Sequence, residues 1–509
     1  MPKGKRMKSE ETTTKKRSKK ENKTLNIFLK LIAFAYVVIT IIFYISVLKM
    51  DLLPGWIITI FTIAEIVFTL AMVIGLLKKH KTYKLTIVSF IIILFISGIY
   101  IYVTNYALAT ISFLGDVFQE AKETDEYYVV VKKDSSYAKI EDVKDKNVGF
   151  FQVADDVKSK LTEKVSVTLN NQENLVELGN KLIDKKLEVI LVSATQYSML
   201  GDEIKEFKTN TKIIYTVKHE IQTNTKIEEA GSKYSVKSGK FNVYITGIDT
   251  TGNISNVARS DANILMTVNT NTHEVLLTSI PRDYYVTLHS YGAKDKLTHS
   301  GIYGVNETVK TVEDLLNTEI NYYVRVNFTT VIKLVDKLGG IDVYSDYDFT
   351  TSDGAYSFKK GYNHMNGEKA LRFSRERYAF NAGDNQRVKN QQAVIEAIMK
   401  KVLNSTTLLT KYTSILDSLK GSFQTNIEQE DISKLVKDQI NNMSSWTIKS
   451  NSLTGTGASS STYSMGSTKL YVMVPNSTSV TSAKTKIDEL LGKWENFRST
   501  TYEEVVWKK

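Results

Sequence analysis

The chain contains no cysteine. That excludes disulfides, thiolate metal sites and a cysteine nucleophile. Histidine is scarce, six residues in 509, and none falls into a metal-binding spacing such as HExxH. A zinc hydrolase is therefore disfavoured. Neither GxxxxGK[ST] nor GxGxxG occurs, so nothing points to a nucleotide site.

Positive charge is plentiful, and its placement is informative. The formal net charge is +11. Much of it lies in "KGKRMKSEETTTKKRSKKENK", Lys3 to Lys23, which is nearly free of apolar residues. Such a segment buries no core and is expected to be disordered. It is read as a basic tail, residues 1–24, retained on the cytoplasmic side. It has no aromatic or helical pattern, so a nucleic-acid partner is not expected.

Three long apolar runs follow within 25–114. Leu31–Leu48 has no charge, Leu52–Leu77 has only Glu65, and Leu85–Leu114 has none. Each is long enough to cross a hydrocarbon core of about 30 Å. The loop "KKHKTYK" is basic while "KMD" is close to neutral. This places the N-terminus in the cytoplasm and everything after about residue 115 outside, a multi-pass cell-membrane topology. Tyr100, Tyr102 and Tyr106 are expected in an interfacial belt. Glu65 has no partner charge in the other spans, so a hydrogen-bonded helix–helix contact is favoured over an ion pathway.

The length calls for two or three domains. From 124 to 222, strand-like "YYVVVKK", "NVGFFQV" and "EVILVSA" alternate with helical "NQENLVELGNKLIDKKL". This indicates a small accessory α/β domain with a partly parallel sheet, resembling one lobe of a solute-binding fold. Residues 223–240 read as a linker. From 241 to 509 a larger α/β domain is expected, with a mixed sheet flanked by helices. Its stretch "SLTGTGASSSTYSMGST" reads as a flexible loop.

The larger domain carries charges where its elements end. Asp249 closes one strand, Arg259 and Asp261 open the next, and Pro281 stops a third just before Arg282 and Asp283. "LRFSRERYAFNAGDNQRVKNQQ" then adds Arg372, Arg375, Arg377, Asp384, Arg387 and Gln391. Arginine binds paired phosphate oxygens through its planar fork and stays charged. Arg375 and Arg377 reach one ligand only from a helix end. Arg387 and Gln391, four apart, share a helix face. Asp384 is an N-cap candidate. Asp249 and Asp261 are hard oxygen donors suited to Mg²⁺. Together these residues describe a phosphate or pyrophosphate site. Lys296 and His299, in "DKLTHSG", have no assigned role.

"NVYITGID", "RSDANILMTVN", "VLLTSIPRDYYV" and "RFSRERYAFNAGDNQRVKNQQ" together resemble the LytR–CpsA–Psr family from about residue 241 onward. The three-span anchor and small module look like its capsule-associated CpsA branch. The resemblance implies transfer of a glycopolymer, capsular polysaccharide by preference, from a polyprenyl-pyrophosphate carrier to peptidoglycan, through a phosphodiester. It implies that Asp249 and Asp261 hold Mg²⁺. Arg259, Arg282, Arg375, Arg377 and Arg387 would bind pyrophosphate, with Gln391 close by. Asp283 and Asp384 would orient those arginines or assist proton removal, and capsule-assembly proteins are further partners. Transcriptional-attenuator-like regulation of capsule and hydrolysis of the carrier are the alternatives.

Overall fold

The computed structural model describes residues 4–78, 83–117, 123–221, 234–248, 254, 256–404, 422–442 and 445–492. The chain forms two compact units. One is Met1–Gly115 with Ile432–Met443, and the other is Asp116–Asp431 with Ser444–Lys509.

In the first unit, α1 (Gly4–Met50), α2 (Gly55–Leu77) and α3 (Lys84–Val117) contain the apolar runs. Lys23–Met50, Gly55–Leu77 and Lys84–Ala109 are each long and apolar enough to span a membrane. The basic tail, expected to lack structure, continues α1 as helix. Lysine, arginine and glutamate are good helix formers, and extending a formed helix avoids the cost of nucleation. Tyr100 also departs from expectation. It is buried, and its ring stacks on Phe43 at 4.2 Å. Its hydroxyl donates to both oxygens of Glu65, at 2.6 and 2.7 Å. Thr69 donates to the same carboxyl at 3.2 Å. Glu65 thus tethers two spans, where no water is at hand to satisfy it. Tyr102 is exposed.

The second unit begins with a five-stranded mixed sheet, formed by β1 (Glu123–Lys132), β2 (Asn147–Phe150), β3 (Thr168–Asn171), β4 (Val189–Ser193) and β5 (Thr211–Ile221) in the order β3-β2-β4-β1-β5. β2 runs parallel to β3 and β4, while β1 is antiparallel to β4 and β5. The centre, β4, is buried along its whole length, which its unbroken apolar run requires. Helices α4 (Asp155–Lys164), α5 (Leu175–Ile183) and α6 (Ala194–Glu203) cover this sheet, and a short turn, α7 (Phe207–Asn210), precedes β5. A Ser193–Gln196 capping box starts α6.

A six-stranded mixed sheet follows. It contains β6 (Lys240–Ile248), β7 (Ser260–Asn269) and β8 (Glu274–Ser279); β9 (Tyr285–Thr287) and β10 (Lys294–Lys296) pair separately, and β11 (Tyr322–Val326) rejoins the larger sheet. Its order is Phe423–Thr425, β11, β6, β7, β8, Thr447–Ser452. β6 is parallel to β11 and antiparallel to β7. One face is covered by α9 (Val305–Leu316) and the helix Ser477–Leu490, which share a core with Tyr244, Leu265 and Tyr323. α10 (Phe328–Leu338), α11 (Gly367–Arg375) and α12 (Asp384–Asn404) form a second core through Val335, Leu338, Phe373 and Val394. An Asn327–Thr330 capping box opens α10, and Gly339, at φ 81°, ends it.

The stretch expected to be a flexible loop is a β-hairpin, Gly455–Thr462 paired with Gly466–Pro475. Its serines and threonines hide no apolar alternation, but tertiary hydrogen bonds hold it. Asn174 donates to Ser467 and Thr468 at 2.8 and 2.9 Å, and Tyr285 donates to the Ser461 carbonyl at 2.8 Å. The expected linker falls largely on residues outside the described set. Within it, Tyr234 packs against the core of the larger domain.

Candidate functional site

The charged element ends converge on one cavity of about 740 Å³. Pro281 stops the chain beyond β8 and Arg282 turns toward the start of β7. Its guanidinium donates from one nitrogen to both oxygens of Asp261, at 3.0 and 3.1 Å. Thr298 donates to Asp261 at 2.9 Å, and Arg387 reaches its backbone carbonyl at 3.5 Å. Burial pushes the Asp261 carboxyl up. Arg282, Arg387 and Arg259 overrule it and bring the group to about 2, so it is ionised at neutral pH.

Asp283 sits behind Arg282, 3.6 Å from its Nε, and its other oxygen lies 3.3 Å from Lys296 Nζ. Asp283 thus lies between Arg282 and Lys296. The short helix α8 (Leu297–Ser300), which carries Thr298, can approach β7 only because residue 301 is glycine. A Cβ there would lie 2.6 Å from the Ala258 carbonyl oxygen and 2.7 Å from Ser260 N.

α11 ends at Arg375 and Glu376 turns extended, so Arg375 and Arg377 both line the cavity, as the helix-end argument requires. Arg375 lies over the Phe328 ring, 4.2 Å from its centroid, and Arg377 lies over Tyr378 at 4.6 Å. Buried Glu376 supports this turn by accepting from the backbone N–H groups of Ser352 and Ala379 at 2.8 and 2.9 Å. Arg387 enters from α12 and is buried. Arg372, also in the wall, is held by Glu368 and Asp353.

Gln391 is placed differently from the arginines. It lines a second, apolar cavity of about 330 Å³ between β6, β11, α10 and α12. The walls include Ile245, Met266, Val324, Val331, Leu334 and Ile398. Asp261 and Arg375 belong to both cavities. Asp249 lies outside the described residues, although the residue before it, Ile248, pairs with Ser260 next to Asp261. Asp384 is the first residue of α12, and its side chain is outside the described set.

The wall also holds residues to which the sequence reading assigned no role, or a partner it did not foresee. Arg259 donates to Asp202 of the accessory domain at 2.7 Å, and Met199, Gly201 and Glu203 line the cavity beside it. Lys296 and His299 line it too. Among the described residues, seven lysines and arginines face six carboxylates in this wall. The cations are thus nearly neutralised before any ligand arrives. No cluster of three or more metal-ligating side chains occurs among the described residues.

The LytR_cpsA_psr family model matches residues 204–486. The polyisoprenyl-teichoic acid–peptidoglycan teichoic acid transferase TagU of Enterococcus faecalis is 36% identical over 220 residues, which is 43% of this chain and 71% of that protein. TagU of Bacillus cereus is 35% identical over 206 residues, 40% of this chain and 66% of that protein. The crystal structure of B. subtilis TagU is 31% identical and covers 50% of this chain and 96% of its own, with a TM-score of 0.39. Matched over more than half its length, the chain belongs to the LytR_cpsA_psr family.

Proposed function

We propose that the protein is a membrane-anchored phosphotransferase. It moves a glycopolymer from a polyprenyl-pyrophosphate carrier to peptidoglycan and leaves a phosphodiester. One observation carries this reading: an arginine-lined cavity opens beside an apolar one, and Asp261 and Arg375 are common to both. A pyrophosphate attached to a hydrocarbon chain has that same division. Each methylene buried in the apolar cavity contributes about 0.8 kcal/mol. The names of the relatives, which are teichoic acid transferases, support the transfer class.

Phosphoryl transfer asks a protein mainly for positioning and charge stabilisation. Arg259, Arg282, Arg375, Arg377 and Arg387 bind the pyrophosphate oxygens, and Asp283 with Lys296 fixes Arg282. A divalent cation belongs to this reading. Asp261 offers ionised hard oxygens, and with seven cations against six carboxylates the wall is too nearly neutral for a dianionic pyrophosphate diester. Asp261 and Asp249 would hold Mg²⁺, which supplies Lewis-acid stabilisation of the phosphoryl oxygens. The spans carry the N-terminus on the cytoplasmic side and the site outside, where the wall acceptor lies. Capsular polysaccharide is the polymer we favour, on the three-span anchor with its accessory domain. Teichoic acid is the competing choice.

The test incubates the full chain in detergent with a prenyl-pyrophosphate-linked oligosaccharide, Mg²⁺ and peptidoglycan fragments, and weighs the products. A glycan–phosphate–muropeptide conjugate that requires Mg²⁺ is expected. Release of free phosphorylated glycan alone would mean hydrolysis. Binding without turnover would mean a regulatory sensor.

A further inference from the structure

Transfer from a pyrophosphate needs a base for the acceptor hydroxyl. Asp283 is poorly placed for this work, since its oxygens already face Arg282 and Lys296. His299 is free of that objection. It lines the same cavity and is 4% exposed. Its Nδ1 lies 2.7 Å from Asp295 Oδ1 and 2.7 Å from Ser464 Oγ. Asp295 is fully buried and is itself fixed, accepting from the backbone N–H groups of Lys296 and Ser464, each at 2.7 Å. A carboxylate only accepts, so Nδ1 carries the proton of this contact. The basic lone pair of the neutral ring is then on Nε2, and the residue that carries it lines the cavity. The preceding residue, Thr298, bonds Asp261, so the ring sits on the element that braces the arginine cluster. The charged groups sharing this part of the wall are Lys296, Arg282, Asp283 and Asp261.

We propose that His299, oriented by Asp295, is the general base that takes the proton from the acceptor hydroxyl. This rests on the transfer reading above. The acceptor O–H gives its proton to Nε2. Its oxygen forms the new bond to the sugar-linked phosphorus. The bond from that phosphorus to the bridging oxygen breaks, and polyprenyl phosphate departs with the electron pair. The imidazolium then returns its proton to the departing phosphate or to water. The same contacts also pin the Gly455–Pro475 hairpin to α8, so the test has to separate catalysis from bracing.

His299→Asn keeps a side-chain N–H near the position of Nδ1 and removes Nε2. His299→Ala removes the whole ring and leaves space for free imidazole. Both are assayed as full chains in detergent, with the conjugate assay above, binding of the prenyl-pyrophosphate oligosaccharide, and thermal melting. The expected result for His299→Asn is a fall in kcat of about 10²–10⁴, with carrier affinity and melting temperature close to wild type. Added imidazole should restore turnover to His299→Ala and leave wild type unchanged. Wild-type turnover in His299→Asn, or a loss of carrier binding and melting temperature that imidazole does not reverse, overturns the proposal. A wild-type protein that forms no conjugate would instead overturn the transfer reading on which it stands.

Discussion

Replacing Arg282 with alanine probes the centre of the charge cluster. In the folded protein, Asp261 is driven up by burial and, more strongly, down by Arg282, Arg387 and Arg259, from 3.8 to about 2. A pKa unit is worth about 1.4 kcal/mol, so the cluster favours the ionised carboxylate by on the order of 2 kcal/mol. Arg282 is the foremost of the three cations. Once it is gone, burial is no longer overruled, and the full chain should lose about 2–3 kcal/mol at neutral pH. A depressed carboxyl stabilises the fold above its unfolded pKa, and that contribution disappears as pH falls through the folded value. The deficit of the variant should therefore be complete above about pH 5 and should close between about pH 4 and pH 2. Thermal unfolding in detergent across that range measures it. A melting temperature about 4–8 °C below wild type is expected at neutral pH, with near convergence at about pH 2. Conjugate formation at neutral pH should fall to background. A deficit equal at every pH would refute the electrostatic account, and full transfer activity would remove Arg282 from the site.

Asp202→Asn removes the carboxylate that Arg259 meets on the accessory domain, and the carrier should bind several-fold more tightly; unchanged affinity in a titration would show that the contact does not compete with the ligand. Gly301→Ala drives a methyl into the backbone at Ala258 and Ser260. It should cost about 1–3 kcal/mol of stability in denaturant unfolding and weaken carrier binding, because α8 must back away from Asp261. Val331→Trp fills the apolar cavity. KM should rise about tenfold or more for a long prenyl carrier and little for a short one, read from steady-state transfer with both. Since the chain has no cysteine, single cysteines at Ser9 and Ser352 give a direct topology test. A membrane-impermeant maleimide should label the second and not the first in intact cells.

The larger domain was legible where its elements end in charges. A strand that stops at Pro281 and presents Arg282, and an "SRER" that needs a helix end, are local patterns with local causes. The bed for a hydrocarbon was not legible, because Val331, Leu334 and Ile398 have the same spacing whether they meet a partner helix or a void. The Gly455–Pro475 hairpin was misread because side chains far away in sequence, Asn174 and Tyr285, hold it. Asp202 was missed, and His299 left without a role, for the same reason. Asp202 sits on another domain, and His299 is just a buried histidine until Asp295, Ser464 and the cavity are brought around it. Tyr100 looked like a belt residue by position. Only the neighbouring span shows that its hydroxyl is needed by Glu65.

Phe328 has two duties. One side of its ring helps to wall the apolar cavity, and the Arg375 guanidinium rests on it at 4.2 Å. Anything that slides into the greasy chamber leans on the bearing that aims a cation in the wet one. On the proposed reading, filling one chamber should affect the other. A head group offered without its tail meets an arginine whose rest has not been adjusted, so soluble pyrophosphates should make poor mimics of the lipid-linked compound. On that reading the lipid would be part of the latch, not merely a handle.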